Sequence, residues 1–177
     1  MRKLFVFSLV VVVLTALAAP VGANSGQTKE LPFKGTMSGD EVTFNLEVPD
    51  GRCLEMAAVA DSVTSFTGTG RATHLGRVDF VAEHCSDLDT GRYGDGMLTI
   101  IAANGDILKA TYTNGVSLTP APLIDFADDF TFVDGGTGRF GSASGGGTET
   151  GVFDVTTNEF SVRMEGFISY DASSRRD

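Results

Sequence analysis

The chain has 177 residues, a formal net charge of −10 and only two cysteines, and it contains no tryptophan. So acidic a chain repels phosphate backbones and anionic headgroups, which argues against nucleic acid as a partner and against electrostatic docking on a membrane. The length suits one domain with a single core.

Met1-Arg-Lys is followed by an apolar run from Leu4 to Ala19 and then by Pro20-Val-Gly-Ala23. A basic start, a short apolar stretch and small residues at Val21 and Ala23 have the form of a cleavable signal peptide over residues 1–23. The apolar run is short for a bilayer span of about 20 residues, so no stable membrane insertion is expected after cleavage. Export places the rest of the chain in an oxidising compartment, secreted or periplasmic. There an even pair, Cys53 and Cys85, is expected to be bridged, with a catalytic thiol as the alternative.

Residues 24–30 are polar and read as a flexible lead into a single domain over 31–170, with a second flexible segment at 171–177. A first strand is expected from Leu31 to Met37 and a turn at Gly39-Asp40. Val42 to Val48 then alternates, with Val42, Phe44, Leu46 and Val48 on one face, as a half-buried strand does. Pro49-Asp50-Gly51 ends it. Cys53 to Val59 is compatible with strand or short helix and is taken as strand, because its neighbours are strands. Val63 to Phe66 resumes β-type composition. Arg77 to His84 alternates with Val78, Phe80 and Ala82 on one face, and Cys85 to Gly96 reads as a loop. Met97–Ala103 and Ile107–Thr113 flank Asn104-Gly105, a strong hairpin signal. Asn114-Gly115 reads as a further turn. Thr119-Pro-Ala-Pro122 interrupts pairing, and Asp128 to Val133 is the next strand.

The run Phe132 to Gly151 is rich in glycine. Gly136, Gly138 and Gly141 form a G-x-G-x-x-G match, but the residues that follow, Ser142-Ala-Ser-Gly-Gly-Gly147, will not start the helix that a dinucleotide site needs. No cofactor is expected. The run reads instead as a tight turn at Gly135, Gly136 and Gly138 leading into a glycine-rich strand. The last strand, Glu159 to Tyr170, alternates through Phe160, Val162, Met164 and Ile168, with a bend at Gly166.

Gly135-Gly-Thr-Gly-Arg-Phe-x-x-Ala-x-Gly145 resembles the signature of the allene oxide cyclase-like and dirigent-like β-barrels. The resemblance implies a small, calycin-like antiparallel barrel with a central cavity, and a structural role for Arg139 and Phe140. It carries over no catalytic acid, since only this motif matches. Independently, many short strands with glycine turns and no sustained helical period give an all-β domain, a barrel or a β-sandwich.

Candidate chemistry is sparse. His74, in a turn, and Arg71 both adjoin glycines of the kind found at barrel mouths, and they are the candidate ligand-binding residues. His84 is expected to pack near the disulfide. Two separated histidines make no metal site, and no metal is expected. Asp87, Asp89 and Asp95 alternate as calcium ligands do, but the pattern falls short of a calcium loop. They read as solvated acids, as do Asp125, Asp128 and Asp129. The leading reading is a barrel that binds a small apolar or amphipathic molecule. A cyclase or dirigent-type enzyme and a barrel filled by its own side chains are the alternatives, and the oligomeric state is left open.

Overall fold

The computed structural model describes residues 29–171. The signal peptide expected at 1–23, and most of the polar segments at 24–30 and 171–177, lie outside them. Eight strands follow one another: β1 (Leu31–Asn45), β2 (Ser62–Ala72), β3 (Gly76–Asp87), β4 (Arg92–Ala102), β5 (Ile107–Ser117), β6 (Leu123–Val133), β7 (Ser144–Asp154) and β8 (Glu159–Ser169). Each pairs antiparallel with the next, and β8 returns to pair with β1 from Leu31↔Ile168 to Gly39↔Phe160. The sheet closes on itself as an up-and-down barrel, not a sandwich, and closure removes both sheet edges.

Side chains alternate between lumen and solvent along each strand. Phe33, Ile100, Leu108, Phe130, Phe132, Met164 and Ile168 are buried and fill one end of the lumen. There the Phe33 and Phe132 rings meet edge to face at 4.9 Å, a favoured aromatic geometry. The β6–β7 connection folds over this end through a single 3-10 turn, Gly138–Phe140, and inserts the fully buried Phe140. No dinucleotide-type helix follows, because the chain passes straight into β7.

The turns at this filled end are those after β2, β4 and β6. The opposite end carries the β1–β2 excursion and the turns after β3, β5 and β7. Residues 46–61 are not a strand, contrary to the expectation for Cys53–Val59. They form turns packed on the outer wall, where Cys53, Val63 and Cys85 make a small second core with Val48, Met56 and Ala60. Cys53 and Cys85 are disulfide-bonded, with Cα atoms 5.8 Å apart. Arg52 anchors the same excursion, donating from Nε to Glu83 Oε1 at 3.1 Å and from Nη1 to the Asp95 carbonyl at 2.8 Å.

Two predicted turns are bulges instead. Pairing of β1 with β2 shifts between Ser38 and Glu41, so Gly39-Asp40 lies inside one long strand. Pairing of β5 with β6 shifts between Thr113 and Val116, around Asn114 at φ 58°. Turns and bulges draw on the same residues, since both use positive φ and break the ladder locally.

Candidate functional site

Above the filled end the lumen opens into a cavity of about 660 Å³. Its wall is largely apolar and aromatic: Met37, Phe66, Phe80, Leu98, Phe126, Phe153 and Phe160 all line it. Phe44 (48 % exposed), Leu88, Leu118 and Val155 stand at the mouth, each partly in solvent.

A polar cluster lies within this wall, formed by His84 on β3, Tyr93 on β4, Tyr112 on β5, Asp128 on β6 and Glu149 on β7. The Tyr93 hydroxyl donates to Asp128 Oδ2 at 2.7 Å. His84 Nδ1 and the Tyr112 hydroxyl share a hydrogen bond of 3.0 Å. The His84 ring also stacks on Tyr93 with centroids 4.4 Å apart. Asp128 stands directly opposite Glu149 across the β6–β7 ladder, which brings the two Cβ atoms to about 5 Å. Asp128 is only 5 % exposed, and its Oδ1 has no hydrogen-bond partner.

Glycines make room for the two tyrosines. Gly115 pairs with Tyr93 and Gly96 with Tyr112 on the β4–β5 ladder. A Cβ at Gly115 would lie 2.2 Å from the Tyr93 ring, and one at Gly96 would lie 2.4 Å from the Tyr112 ring. Each ring therefore lies flat over a bare backbone, and a Cβ at either glycine would have to displace the ring it faces.

Burial sets the charge states. It pushes the Asp128 carboxyl up to about 7, against the opposing pull of the Tyr93 hydrogen bond. Glu149 keeps some surface, but that surface faces the cavity, and burial with the neighbouring Asp128 charge raises it well above the ordinary glutamate range. Burial, with Arg52 as a smaller influence, lowers His84 to about 3, so the imidazole is neutral at physiological pH. Both tyrosines are raised, by burial first and then by the acids, and stay protonated. Two acids that cannot readily ionise together hold at most about one charge near neutrality. The site thus combines a proton acceptor that titrates near pH 7, two hydroxyl groups and a neutral imidazole.

Arg71 and His74 do not join this cluster. Arg71 is exposed on the outer wall, opposite Thr36 of β1. His74 lies in the β2–β3 turn at the filled end, with φ 68°, its Nε2 3.0 Å from the Pro32 carbonyl. Its own carbonyl accepts from Arg139 Nη2, and the Arg139 guanidinium lies over the rings of Phe140 and Tyr170 at 4.9 and 5.3 Å. Arg139 and Phe140 tie the filled end together. Gly135 and Gly138 adopt positive φ (98° and 55°), and a Cβ on Gly136 would strike the Phe140 and Ile107 carbonyls.

Asp128 is not a solvated acid, and His84 points into the lumen while Cys85 faces the outer core. Asp128 was findable, because the inward set Phe126, Asp128, Phe130 and Phe132 places one carboxylate among phenylalanines. Of the other acids, Asp87 caps the β3–β4 turn, accepting from the Asp89 and Thr90 amides at 3.1 and 3.0 Å. Asp95 Oδ2 accepts from the Glu55 and Met56 amides at 2.9 and 3.1 Å.

No protein-family model, no curated protein and no solved structure matches the chain.

Proposed function

We propose that this protein is an exported binding barrel that takes a small amphipathic molecule into its lumen, apolar body against the phenylalanines and polar end against Tyr93 and Asp128. The observation that carries this reading is the aromatic-walled cavity lined by Asp128, a buried carboxyl with one unpartnered oxygen. Its volume of about 660 Å³ falls within the range of small-molecule sites, which are mostly apolar with a few convergent polar groups. The disulfide supports an oxidising compartment, in keeping with the signal-like first residues. The outer wall carries Lys34, Arg71, Asp79, Lys109, Asp129, Arg163 and Glu165, all exposed, which is unlike the apolar band of a membrane barrel.

Binding of the neutral, environment-sensitive dye Nile red tests the reading. A blue-shifted, saturable signal from the native protein is expected, together with a co-purifying small molecule in native mass spectra. A folded protein that takes up no dye until denaturant is added is a filled barrel and overturns it.

A second reading, an enzyme of the cyclase or dirigent kind, is favoured by one observation. Asp128, poised near pH 7 and held by the Tyr93 hydroxyl, suits general acid–base work on a bound precursor. The resemblance of the Gly135–Gly145 motif points the same way. Turnover of the co-purified molecule, lost in Asp128→Asn while binding persists, distinguishes enzyme from binder.

A further inference from the structure

We propose that the lumen selects organic cations: amphipathic molecules whose protonated primary, secondary or tertiary amine pairs with the Asp128 carboxyl and lies among Glu149, Tyr93, Tyr112 and Phe126. This rests on the binding reading above and names the ligand class. The first ground is the orphaned oxygen. Asp128 lines the cavity; its Oδ2 is taken by Tyr93, whereas its Oδ1 is buried in the wall and lacks a donor. A buried acceptor without a donor is costly, and a charged N–H donor is its strongest complement.

The second ground is the balance of charge around Asp128. Tyr93 faces it from β4, Tyr112 from β5 and Glu149 from β7, with His84 on β3 stacked against Tyr93. His84 is neutral, and Asp129, next along β6, turns outward to accept from Asn114 Nδ2 at 3.2 Å. Arg92 lies at the rim beside Asp87 and Asp89, and the Arg52 guanidinium bonds to Glu83 and the Asp95 carbonyl. The polar depth of the cavity therefore holds two carboxyls and no cation of its own. The third ground is the aromatic wall, since ring faces attract a cation and do so more strongly away from water. An anionic ligand would meet like charge, and a neutral one would leave the shared charge of the acid pair without a counterion.

Such a ligand binds by keeping Asp128 ionised, so acid must weaken it. Octylamine, octan-1-ol and octanoate carry matched tails and differ in the head group. They are to be compared as competitors of Nile red at high salt, where attraction to the acidic outer surface is screened. At pH 8 octylamine is expected to displace the dye at roughly tenfold lower concentration than either of the others, a difference of about 1.4 kcal/mol. That preference should shrink severalfold at pH 6 and disappear in Asp128→Asn. If that variant does not fold, the pH series on the native chain and Glu149→Gln, expected to keep part of the preference, decide the matter. Equal displacement by all three, or preference for octanoate, overturns the cation reading and leaves the binding reading standing. Absence of dye binding in the native fold overturns the binding reading itself.

Discussion

Gly138 shows how much a single backbone position can demand. Its φ of 55° is left-handed, and a Cβ there would lie 2.4 Å from Asp106 Oδ1. Alanine combines conformational strain with a clash against a buried carboxylate, so Gly138→Ala is expected to cost about 2 kcal/mol. A lowered urea midpoint at unchanged slope checks this, and an unchanged midpoint contradicts the turn geometry. Gly115 makes a different demand. It has no positive φ, and what it supplies is space for the Tyr93 ring. Gly115→Ala must displace that ring and lengthen its hydrogen bond to Asp128. The expected result is dye affinity reduced severalfold at pH 8, measured by titration, with the barrel still folded. Affinity equal to that of the native chain would separate Tyr93 from binding.

Strands were more legible than the devices that bend them. Val78, Phe80 and Ala82, or Phe160, Val162 and Met164, announce an inward face by period two alone. Asn104-Gly105 correctly announces a hairpin, with Gly105 at φ 82°. Asn114-Gly115 and Gly39-Asp40 have the same local chemistry but lie within strands, because cross-strand partners decide whether such a pair reverses the chain or only bulges it. The polar site was harder to read for a related reason. Its five members come from five strands, and Asp128 meets Glu149 only through the β6–β7 register. The outer excursion at 46–61 was misread because helix- and strand-compatible residues there are fixed by a disulfide and by Arg52. Since Cys85 faces outward and His84 inward, the bridge contributes stability without shaping the lumen. Replacing both cysteines by serine opens a link of sequence separation 32 and is expected to cost about 3–4 kcal/mol by loop entropy. Chemical denaturation measures that loss. Dye affinity below the unfolding transition should be unchanged, and a parallel fall in affinity would show that the excursion shapes the cavity.

At the scale of the whole molecule the barrel spends stability on its site, and pH reveals how much. Asp128 titrates near 7 when folded, against an ordinary 3.8. Between those values the folded chain holds the extra proton, so this group's contribution to stability falls as pH rises from about 4 to 7 and stays low above. Glu149, raised by burial and by the Asp128 charge, acts in the same direction. His84 acts oppositely. Lowered from 6.5 to about 3, it stays neutral when folded while the unfolded chain takes up the proton, so its contribution falls as pH drops from 6.5 toward 3. Across pH 4 to 6.5 the slopes of His84 and Asp128 largely cancel, and Glu149 tips the balance toward greater stability in mild acid than at pH 8. Asp128→Asn keeps the shape and still accepts from Tyr93, but it no longer forces a buried charge at high pH. It should therefore be more stable than the native chain at pH 8, by on the order of 1–3 kcal/mol, with the advantage gone near pH 4. Thermal unfolding of both proteins from pH 4 to 8 measures the difference. An advantage that stays constant across that range would mean that Asp128 does not titrate there, and would remove the acid sensitivity expected of cation binding.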